Sequence, residues 1–374
     1  MGAPPGDVPV SDTPSAGASP APSAAEEPER SVVSPPVRAR ALAAIAIAGA
    51  CGALVYAHAL KQPGWRGDTD QVWFAARMLL DGRNPYAEVG PGRPFDMRFG
   101  LYYPLPAVVA FTPLALLPVR AARALFVALS TGVLAFAVSR EGWWRLSIFL
   151  SGSMLMALMS AQWSPLLTAA LFFPALGAFF VAKPNVGLAL ATYYHTGKAV
   201  RTALWGTLAL VAVSLIVQPG WPRDWLEAVR TAQHFVPPVR HLGGPLILLA
   251  LLRWRRPEAR MLVAFACVPH TTLVYEVLPL LLIASNLGES LMLSALTAVV
   301  WLIPVVFPEL ATPVTARIAI TGDLLVPLLY LPCVLLVLRR PNTGQVPAVV
   351  ERVAAGVATR LGRARPATAR RETR

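Results

Sequence analysis

Four long stretches of this sequence contain no Asp, Glu, Lys or Arg, and they limit the chain to one class of fold. They are residues 41–60, 166–182, 202–219 and 291–307. Each approaches the roughly 20 residues that cross a hydrocarbon core. A chain in lipid must satisfy its own backbone, so it spans as helices or as a closed barrel. The stretches carry Pro, Gly and Ser and lack the alternation typical of barrel strands, which favours helices.

Composition supports the same conclusion. The chain has 374 residues, of which 55% are hydrophobic and only 14% are charged. A water-soluble domain of this length would need a more charged surface. The three cysteines, at positions 51, 267 and 333, lie in apolar runs without the spacing of a disulfide framework or a metal site. The sequence therefore predicts an all-α polytopic membrane protein.

The net charge of +13 is concentrated at one end of the chain. Residues 339–374 hold nine Arg and two Glu, which is more than half of the excess. A basic segment beside a span is typical of a cytoplasmic anchor on anionic lipid. No aromatic residues are interleaved with these arginines, so nucleic acid is not an expected partner. Membrane lipids are the expected partner of this segment.

The chain is expected to have three parts. They are a disordered cytoplasmic tail (1–37), a transmembrane domain (38–338) and a basic cytoplasmic tail (339–374). Arg38 and Arg40 flank the first span and predict a cytoplasmic N-terminus, which places loop 61–102 outside. The C-terminus is then also cytoplasmic.

Continuing this orientation along the chain gives about ten to twelve crossings. Segment 103–118 is expected to return inward to Arg120 and Arg123. Segment 124–138 would then go out again. That topology leaves Arg140 outside, against the positive-inside rule.

Loop 61–102 is the segment in which chemistry is expected, because long polar loops in compact proteins are often functional. Within it, QVWFAARMLL (71–80) has the spacing of an amphipathic helix. Asp70 immediately precedes that helix and Asp68 lies two residues earlier. Asp70 is interpreted either as the helix N-cap or as a general base at the membrane surface. As a cap, it should be replaceable by Asn with little loss of stability.

Four segments in this part of the chain form a recognisable set: DQVWFAARMLLDGRNPY (70–86), LYYPLPAVVAFTPLALLP (101–118), AQWSPLL (161–167) and AKPNVGL (182–188). Together they resemble glycosyltransferase family 87, mannosyltransferase-like membrane enzymes of the GT-C class that use polyprenyl-phosphate sugars. The sequence departs from the pattern at Ala161, where the family usually has Gly. The resemblance implies a GT-C-like helical bundle with an external amphipathic-helix loop.

The resemblance also implies an activity. Asp70 would be the catalytic base, with Asp68 as a second catalytic candidate, in an inverting transfer of mannose or another hexose. The donor would be a polyprenyl-phosphate sugar and the acceptor a lipid or cell-envelope glycan, at the outer face of a bacterial plasma membrane. Asp68-Thr69-Asp70 spells a metal-binding Asp-x-Asp, but a monophosphate leaving group can be neutralised by cations alone. No metal or other cofactor is therefore expected.

The donor phosphate needs cationic ligands, and three residues are candidates. Lys183 ends an apolar run and matches the family's Lys-Pro, although snorkelling to the headgroups is the alternative. His270 lies within CVPHTTLVYE (267–276) and is either a phosphate ligand or a packed core residue. Arg83 is the third. The matched segments also give candidates for contacts within the loop and with the acceptor: Tyr86, Tyr103, Gln162 and Asn185.

A multi-span transporter or lipid flippase is the competing interpretation, since it too would carry charges inside the membrane. Such proteins often show an internal repeat with paired broken helices. The sequence shows no convincing repeat, and it contains no Walker-type loop or HExxH motif. Sugar transfer is the favoured prediction.

Overall fold

The computed structural model of the protein describes residues 1–2, 34–97, 99–230, 235–311, 314–348, 351–352, 355–356 and 359. Its contacts separate Met1–Val33 from a unit that begins at Ser34, and every contact below belongs to that second unit. The predicted disorder of 1–37 falls mostly outside the described residues. So does most of the predicted basic tail.

Helices dominate the described chain, as predicted. The α-helices are α1 (Val37–Lys61), α2 (Thr69–Leu80), α3 (Pro85–Glu88), α4 (Leu105–Ala115), α5 (Val119–Val138), α6 (Gly152–Met159), α7 (Ser164–Ala170), α8 (Pro184–Ala191), α9 (Gly197–Val217), α10 (Trp221–Arg230), α11 (Pro257–Cys267), α12 (Leu287–Val306), α13 (Val314–Leu325) and α14 (Leu331–Leu338). A short π-helix, Val326–Tyr330, joins α13 to α14.

Shorter elements complete the description. The 3₁₀ helices are Ser139–Glu141, Trp143–Leu150, Pro174–Ala182, Pro238–Arg240, Gly244–Arg253, Leu278–Ile283 and Pro308–Ala311. Two strands of two residues each, β1 (Val89–Gly90) and β2 (Phe95–Asp96), pair in parallel within loop 61–102.

Within the described residues, five helical segments are long and apolar enough to cross a membrane. They are Val37–Lys61, Val119–Glu141, Gly197–Val217, Leu287–Val306 and Ala316–Leu338. All five overlap predicted spans, the last of them a span expected over residues 322–338. The fold is therefore nearly all-α, and these five helices fit insertion into a membrane.

Small residues bring α1 and α5 together as an antiparallel pair. A Cβ atom on Gly52 would lie 3.0 Å from the Cβ of Ala128, and one on Gly132 would lie 2.9 Å from the Cβ of Ala48. Glycine and alanine at an interface allow the backbones of two membrane helices to approach closely. Van der Waals contact along this seam holds the two helices side by side.

The ends of the pair show its direction. Arg40, near the start of α1, donates a hydrogen bond of 2.6 Å to the carbonyl of Phe136, near the end of α5. At the opposite end, Arg123 in the second turn of α5 contacts Asp70, which follows α1 in the chain. About 25 Å separate Arg123 from Arg140 along a helix, close to the thickness of a hydrocarbon core.

This direction corrects the predicted topology. Segment 103–118 was expected to cross the membrane, but α4 has only 11 residues, about 16 Å of helix, and lies against α2. Trp73 donates from its indole nitrogen to the carbonyl of Leu117 at 3.0 Å. Arg120 and Arg123 therefore lie on the side of loop 61–102 and not on the opposite side.

The same correction removes the conflict over Arg140. With α5 starting beside loop 61–102, it ends on the side where α1 begins. The hydroxyl of Ser34 donates to the carbonyl of Arg140 at 2.7 Å, and Arg40 lies at the same end. Arg140 thus joins Arg40 on one face, whereas Arg120 and Arg123 lie on the other.

The α1–α5 seam gives the first prediction. Gly52→Leu should lower the free energy of unfolding by about 1–3 kcal/mol, because its side chain would overlap Ala128 and the Ala124 carbonyl. Gly49→Leu in the same helix is the matched control, since nothing lies within 4 Å of a Cβ there. Thermal unfolding of both variants in the same detergent measures the difference. Equal melting temperatures would contradict the close approach of α1 and α5.

Candidate functional site

The candidate site is built around the start of α2, which packs against the turn after α6. The backbone nitrogen of Asp68 donates to the carbonyl of Ser160 at 2.8 Å. A Cβ on Gly67 would lie 3.1 Å from both that carbonyl oxygen and the Cβ of Ala161. Ala161 has φ of 47°, in the left-handed region that favours glycine. Glycine would fit this turn with less backbone strain than alanine does.

Asp70 is held in a buried ion pair with Arg123. The Arg123 Nε donates to Asp70 Oδ1 at 2.9 Å, and Nη2 donates to Oδ2. The backbone nitrogen of Gly67 donates to Oδ2 at 3.2 Å. The two side chains are only 4% and 5% exposed. Burial raises the pKa of Asp70, against the lowering effect of the Arg123 guanidinium.

The N-cap interpretation of Asp70 is therefore wrong. Asp70 lies inside the first turn of α2, and the residue at the N-cap position, Asp68, makes no side-chain capping hydrogen bond either. Both carboxylate oxygens of Asp70 serve the guanidinium of Arg123 instead. A two-point arginine–carboxylate pair holds Asp70 more strongly than a capping hydrogen bond would. Replacement of Asp70 by Asn is therefore expected to lower stability, because the Arg123 charge would lose its partner.

Asp68 begins a chain of polar side chains that runs into the bundle, which we call the Lys183 network. Gln162 donates from Nε2 to Asp68 Oδ2. Lys183 donates from Nζ to Gln162 Oε1 at 2.9 Å and to Glu276 Oε1 at 2.7 Å. Thr271 donates to the same oxygen of Glu276 at 2.9 Å. Burial is the main cause that raises the pKa of Asp68, while Lys183 opposes it.

His270 and Asn185 lie beside the Lys183 network. His270 is buried, with Nε2 3.4 Å from the Tyr330 hydroxyl and Nδ1 3.0 Å from the carbonyl of Thr271. Asn185 donates from its side-chain amide to the carbonyl of Pro269. The segment that carries His270 is thereby tied to the Lys-Pro turn at the start of α8.

The two tyrosines of the predicted site connect the loop to the same region. The Tyr86 hydroxyl donates to the carbonyl of Tyr103 at 3.1 Å. Burial raises the pKa of Tyr103 well above its ordinary value, with smaller raising effects from the nearby carboxylates of Asp68 and Glu276. Arg83 lies apart from this group, at the far end of α2, in a half-exposed ion pair of 2.6 Å with Glu88.

Two important residues were not among the predicted site residues. Glu276 neutralises Lys183, and its Oε2 is buried with no hydrogen-bond partner among the described residues. Arg123 neutralises Asp70. The available signal was a charged side chain next to or within an apolar run, since a charge there is costly unless it is paired.

Asp70 also lines an open cavity of about 190 Å³ between the end of α1, α2 and the start of α5. We call it the arginine cavity. Its walls are formed by Ala59, Pro63, Trp65, Arg66, Asp70, Trp73, Phe95, Val119, Arg120 and Arg123. A carboxylate, three guanidinium groups and three aromatic rings thus meet in one accessible space.

Aromatic rings hold two of these arginines in place. The Arg123 guanidinium lies 4.2 Å from the ring centre of Trp65, and that of Arg66 lies 4.9 Å from the ring centre of Phe95. Arg66 also donates to the carbonyl of Asp96 at 2.6 Å. Stacking on an aromatic face orients a guanidinium group but does not neutralise its positive charge.

Two further observations concern what the site holds and what it resembles. Within the described ranges, no group of three or more His, Cys, Asp or Glu side chains is arranged to hold a metal ion. No protein-family model matches the chain, and neither a curated protein nor a solved structure matches it. The site is therefore interpreted below from its own chemistry.

The buried ion pair gives the second prediction. Asp70→Asn and Arg123→Gln should each lower the free energy of unfolding by about 3–5 kcal/mol, because each leaves the partner charge buried and unpaired. The double variant should be more stable than the sum of the two losses implies. Thermal unfolding of the four proteins in one detergent measures this coupling. Strictly additive losses would show that the two side chains do not interact.

Proposed function

We propose that this protein is an integral-membrane glycosyltransferase that moves a hexose from a polyprenyl-phosphate carrier to a lipid or cell-envelope glycan acceptor. The observation that carries the proposal is the arginine cavity, where the Asp70 carboxylate lies among guanidinium groups and indole rings. A sugar presents hydroxyl groups and an apolar face, and its phosphate carries negative charge. One cavity offers groups that complement each of these features.

In the proposed reaction Asp70 is the general base. The acceptor hydroxyl attacks the anomeric carbon and gives its proton to the Asp70 carboxylate. The bond between the anomeric carbon and the phosphate oxygen breaks, and the phosphate leaves with the electron pair. A single displacement inverts the configuration. Burial raises the pKa of Asp70, which makes its carboxylate a stronger base than a solvent-exposed one.

The Lys183 network is assigned to the acceptor side of the reaction. Lys183 and His270 were predicted to bind the donor phosphate, but the charge of Lys183 is already balanced by Glu276. Asp68 lies at the end of the network nearest Asp70. We propose that Asp68, Gln162 and the unpartnered Oε2 of Glu276 orient acceptor hydroxyl groups.

The proposed setting is a GT-C-like bundle with about ten to twelve crossings, both termini in the cytoplasm and the site at the outer face of a bacterial plasma membrane. The crossings beyond the five long helices would each need more than one of the shorter apolar elements, since a single element such as Gly244–Arg253 does not span a hydrocarbon core. The orientation is supported by Arg40 and Arg140, which lie at the end of the α1–α5 pair opposite to Asp70.

Transport is the second candidate function, and the Lys183–Glu276 pair favours it. Charged pairs inside membrane proteins often belong to ion or proton pathways. A transporter would move its substrate without forming a glycosidic bond. Product analysis therefore separates the two candidates directly.

The third prediction tests transfer. Purified protein in liposomes should convert radiolabelled polyprenyl-phosphate mannose and a glycolipid extract into a new labelled glycolipid. Asp70→Asn should lower the rate about 100-fold or more, because the amide cannot accept the proton. Asp81→Asn, an exposed residue at the other end of α2, is the matched control and should retain the rate. Chromatography of the extracted lipids gives the measurement.

Because Asp70→Asn also weakens the fold, the assay is run on the folded fraction of each variant, collected by size-exclusion chromatography. A folded Asp70→Asn protein with full activity would remove Asp70 as the base. Loss of activity in Asp68→Asn alone would then assign that role to Asp68. Absence of any labelled product with wild-type protein, together with uptake of label into the liposome, would favour transport.

A further inference from the structure

We infer that the arginine cavity binds the phosphate group of a lipid phosphate, and that the Lys183 network does not. The inference rests on the proposed function and assigns its donor-phosphate site to Arg66, Arg120 and Arg123. It moves that site away from the residues that the sequence predicted for it. The ligand class is a phosphate ester carried on a long apolar chain.

Charge is the first observation behind this assignment. Three arginines and one carboxylate line the arginine cavity, which leaves a net charge of +2. Arg120 is exposed and makes no hydrogen bond or ion pair with any residue in the described part of the chain. Arg66 donates to the Asp96 carbonyl and contacts the Met97 sulfur, and neither partner is a carboxylate. Two positive charges are therefore available to an anion.

Two of the three residues predicted to bind the donor phosphate are already paired with carboxylates, and the third, His270, is buried. Lys183 lies 2.7 Å from the Glu276 carboxylate, and Arg83 lies 2.6 Å from that of Glu88. At either place a phosphate would have to separate an ion pair to reach its cation, which opposes association. In the arginine cavity it can instead reach Arg66 and Arg120, which are present in addition to the Asp70–Arg123 pair.

The surroundings of the arginine cavity indicate why the ligand would be a lipid. Ala59, Pro63 and Val119 form an apolar part of its wall. Leu60 and Leu116 are exposed beside it, at the end of α1 and in the turn between α4 and α5. A headgroup in the cavity would thus have its hydrocarbon chain next to apolar surface at the membrane boundary.

The position of Arg123 connects phosphate binding to the proposed base. Its guanidinium now serves both oxygens of Asp70. A guanidinium group can donate two parallel hydrogen bonds to a phosphate, as it does to a carboxylate. A phosphate that shares Arg123 would withdraw part of its charge from Asp70 and make that carboxylate more basic. Binding of the donor phosphate would in this way increase the basicity of Asp70, the residue proposed to accept the proton during sugar transfer.

The fourth prediction is a binding measurement that needs no turnover. Decaprenyl phosphate is titrated into the purified full-length protein in nanodiscs, with decaprenol and inorganic phosphate as parallel probes. Arg120→Gln and Arg66→Gln should each weaken decaprenyl phosphate binding about tenfold or more, as loss of a charged hydrogen bond predicts. Arg83→Gln is the matched control from the same loop and should bind as the wild type does.

A Lys183→Gln/Glu276→Gln double variant completes the comparison and should bind decaprenyl phosphate normally. Decaprenol should bind more weakly than its phosphate and should not respond to the arginine substitutions. Millimolar inorganic phosphate should fail to displace the lipid. Displacement by inorganic phosphate would overturn the assignment to a lipid ligand.

Two other results would overturn the phosphate site itself. They are wild-type affinity in both arginine variants, and loss of affinity only in the Lys183/Glu276 variant. The outcomes for the activity are separate from these. Arginine-dependent binding without any sugar transfer would contradict the proposed function and leave the phosphate site standing. Transfer at the wild-type rate in both arginine variants would contradict the site and leave the function standing.

Discussion

The buried pair of Asp70 and Arg123 is the contact on which the arrangement of this protein depends. It joins the first turn of α2, just after α1, to the second turn of α5, and so ties one end of the antiparallel α1–α5 pair. The seam of small residues between them then closes along its length. A charge pair with side chains 4% and 5% exposed is costly to break, because either partner alone would remain buried and unsolvated. The same contact therefore fixes the position of Asp70 in the site and the position of α5 relative to α2.

The Lys183 network differs from this pair because its charged groups are not matched one to one. Asp68, Lys183 and Glu276 come from three distant parts of the sequence, and Gln162 connects the first two by offering its amide to one and its carbonyl to the other. Two carboxylates share one ammonium group, so the network carries an excess acidic group. Burial outweighs the opposing effect of Lys183 and raises the pKa of Asp68, and the nearby Glu276 carboxylate adds a smaller raising effect. A structure that needed only stability would not require this arrangement, since apolar side chains could fill the same volume.

Much of the fold could be predicted from hydropathy, and the errors have a common physical cause. The long runs at α1, α9 and α12 were identified because a span needs continuous apolar length. Segment 103–118 was misassigned as a span because α4 is apolar on all sides, which is equally true of a short helix buried within a protein. Arg120 and Arg123 were then placed on the cytoplasmic side, because the positive-inside rule counts arginines without knowing that one of them pairs with an aspartate. The matched segments made Asp68, Gln162 and Lys183 candidates, and the structure joins these three side chains by hydrogen bonds, but nothing local in the sequence indicated Glu276 as the partner of Lys183.

Two aspartates two positions apart in the sequence thus occupy different electrostatic environments. Asp70 faces a guanidinium at the edge of an open cavity, whereas Asp68 faces an amide at the end of a buried network. An α-helix turns about 100° per residue, so side chains two positions apart point in nearly opposite directions. Asp70 therefore faces the arginine cavity, and Asp68 faces the Lys183 network on the opposite side of α2. Under the proposed function, the sugar donor would lie in the first and the acceptor near the second, so that they approach one another across a single helical turn. Asp70 would then accept the proton of the acceptor hydroxyl.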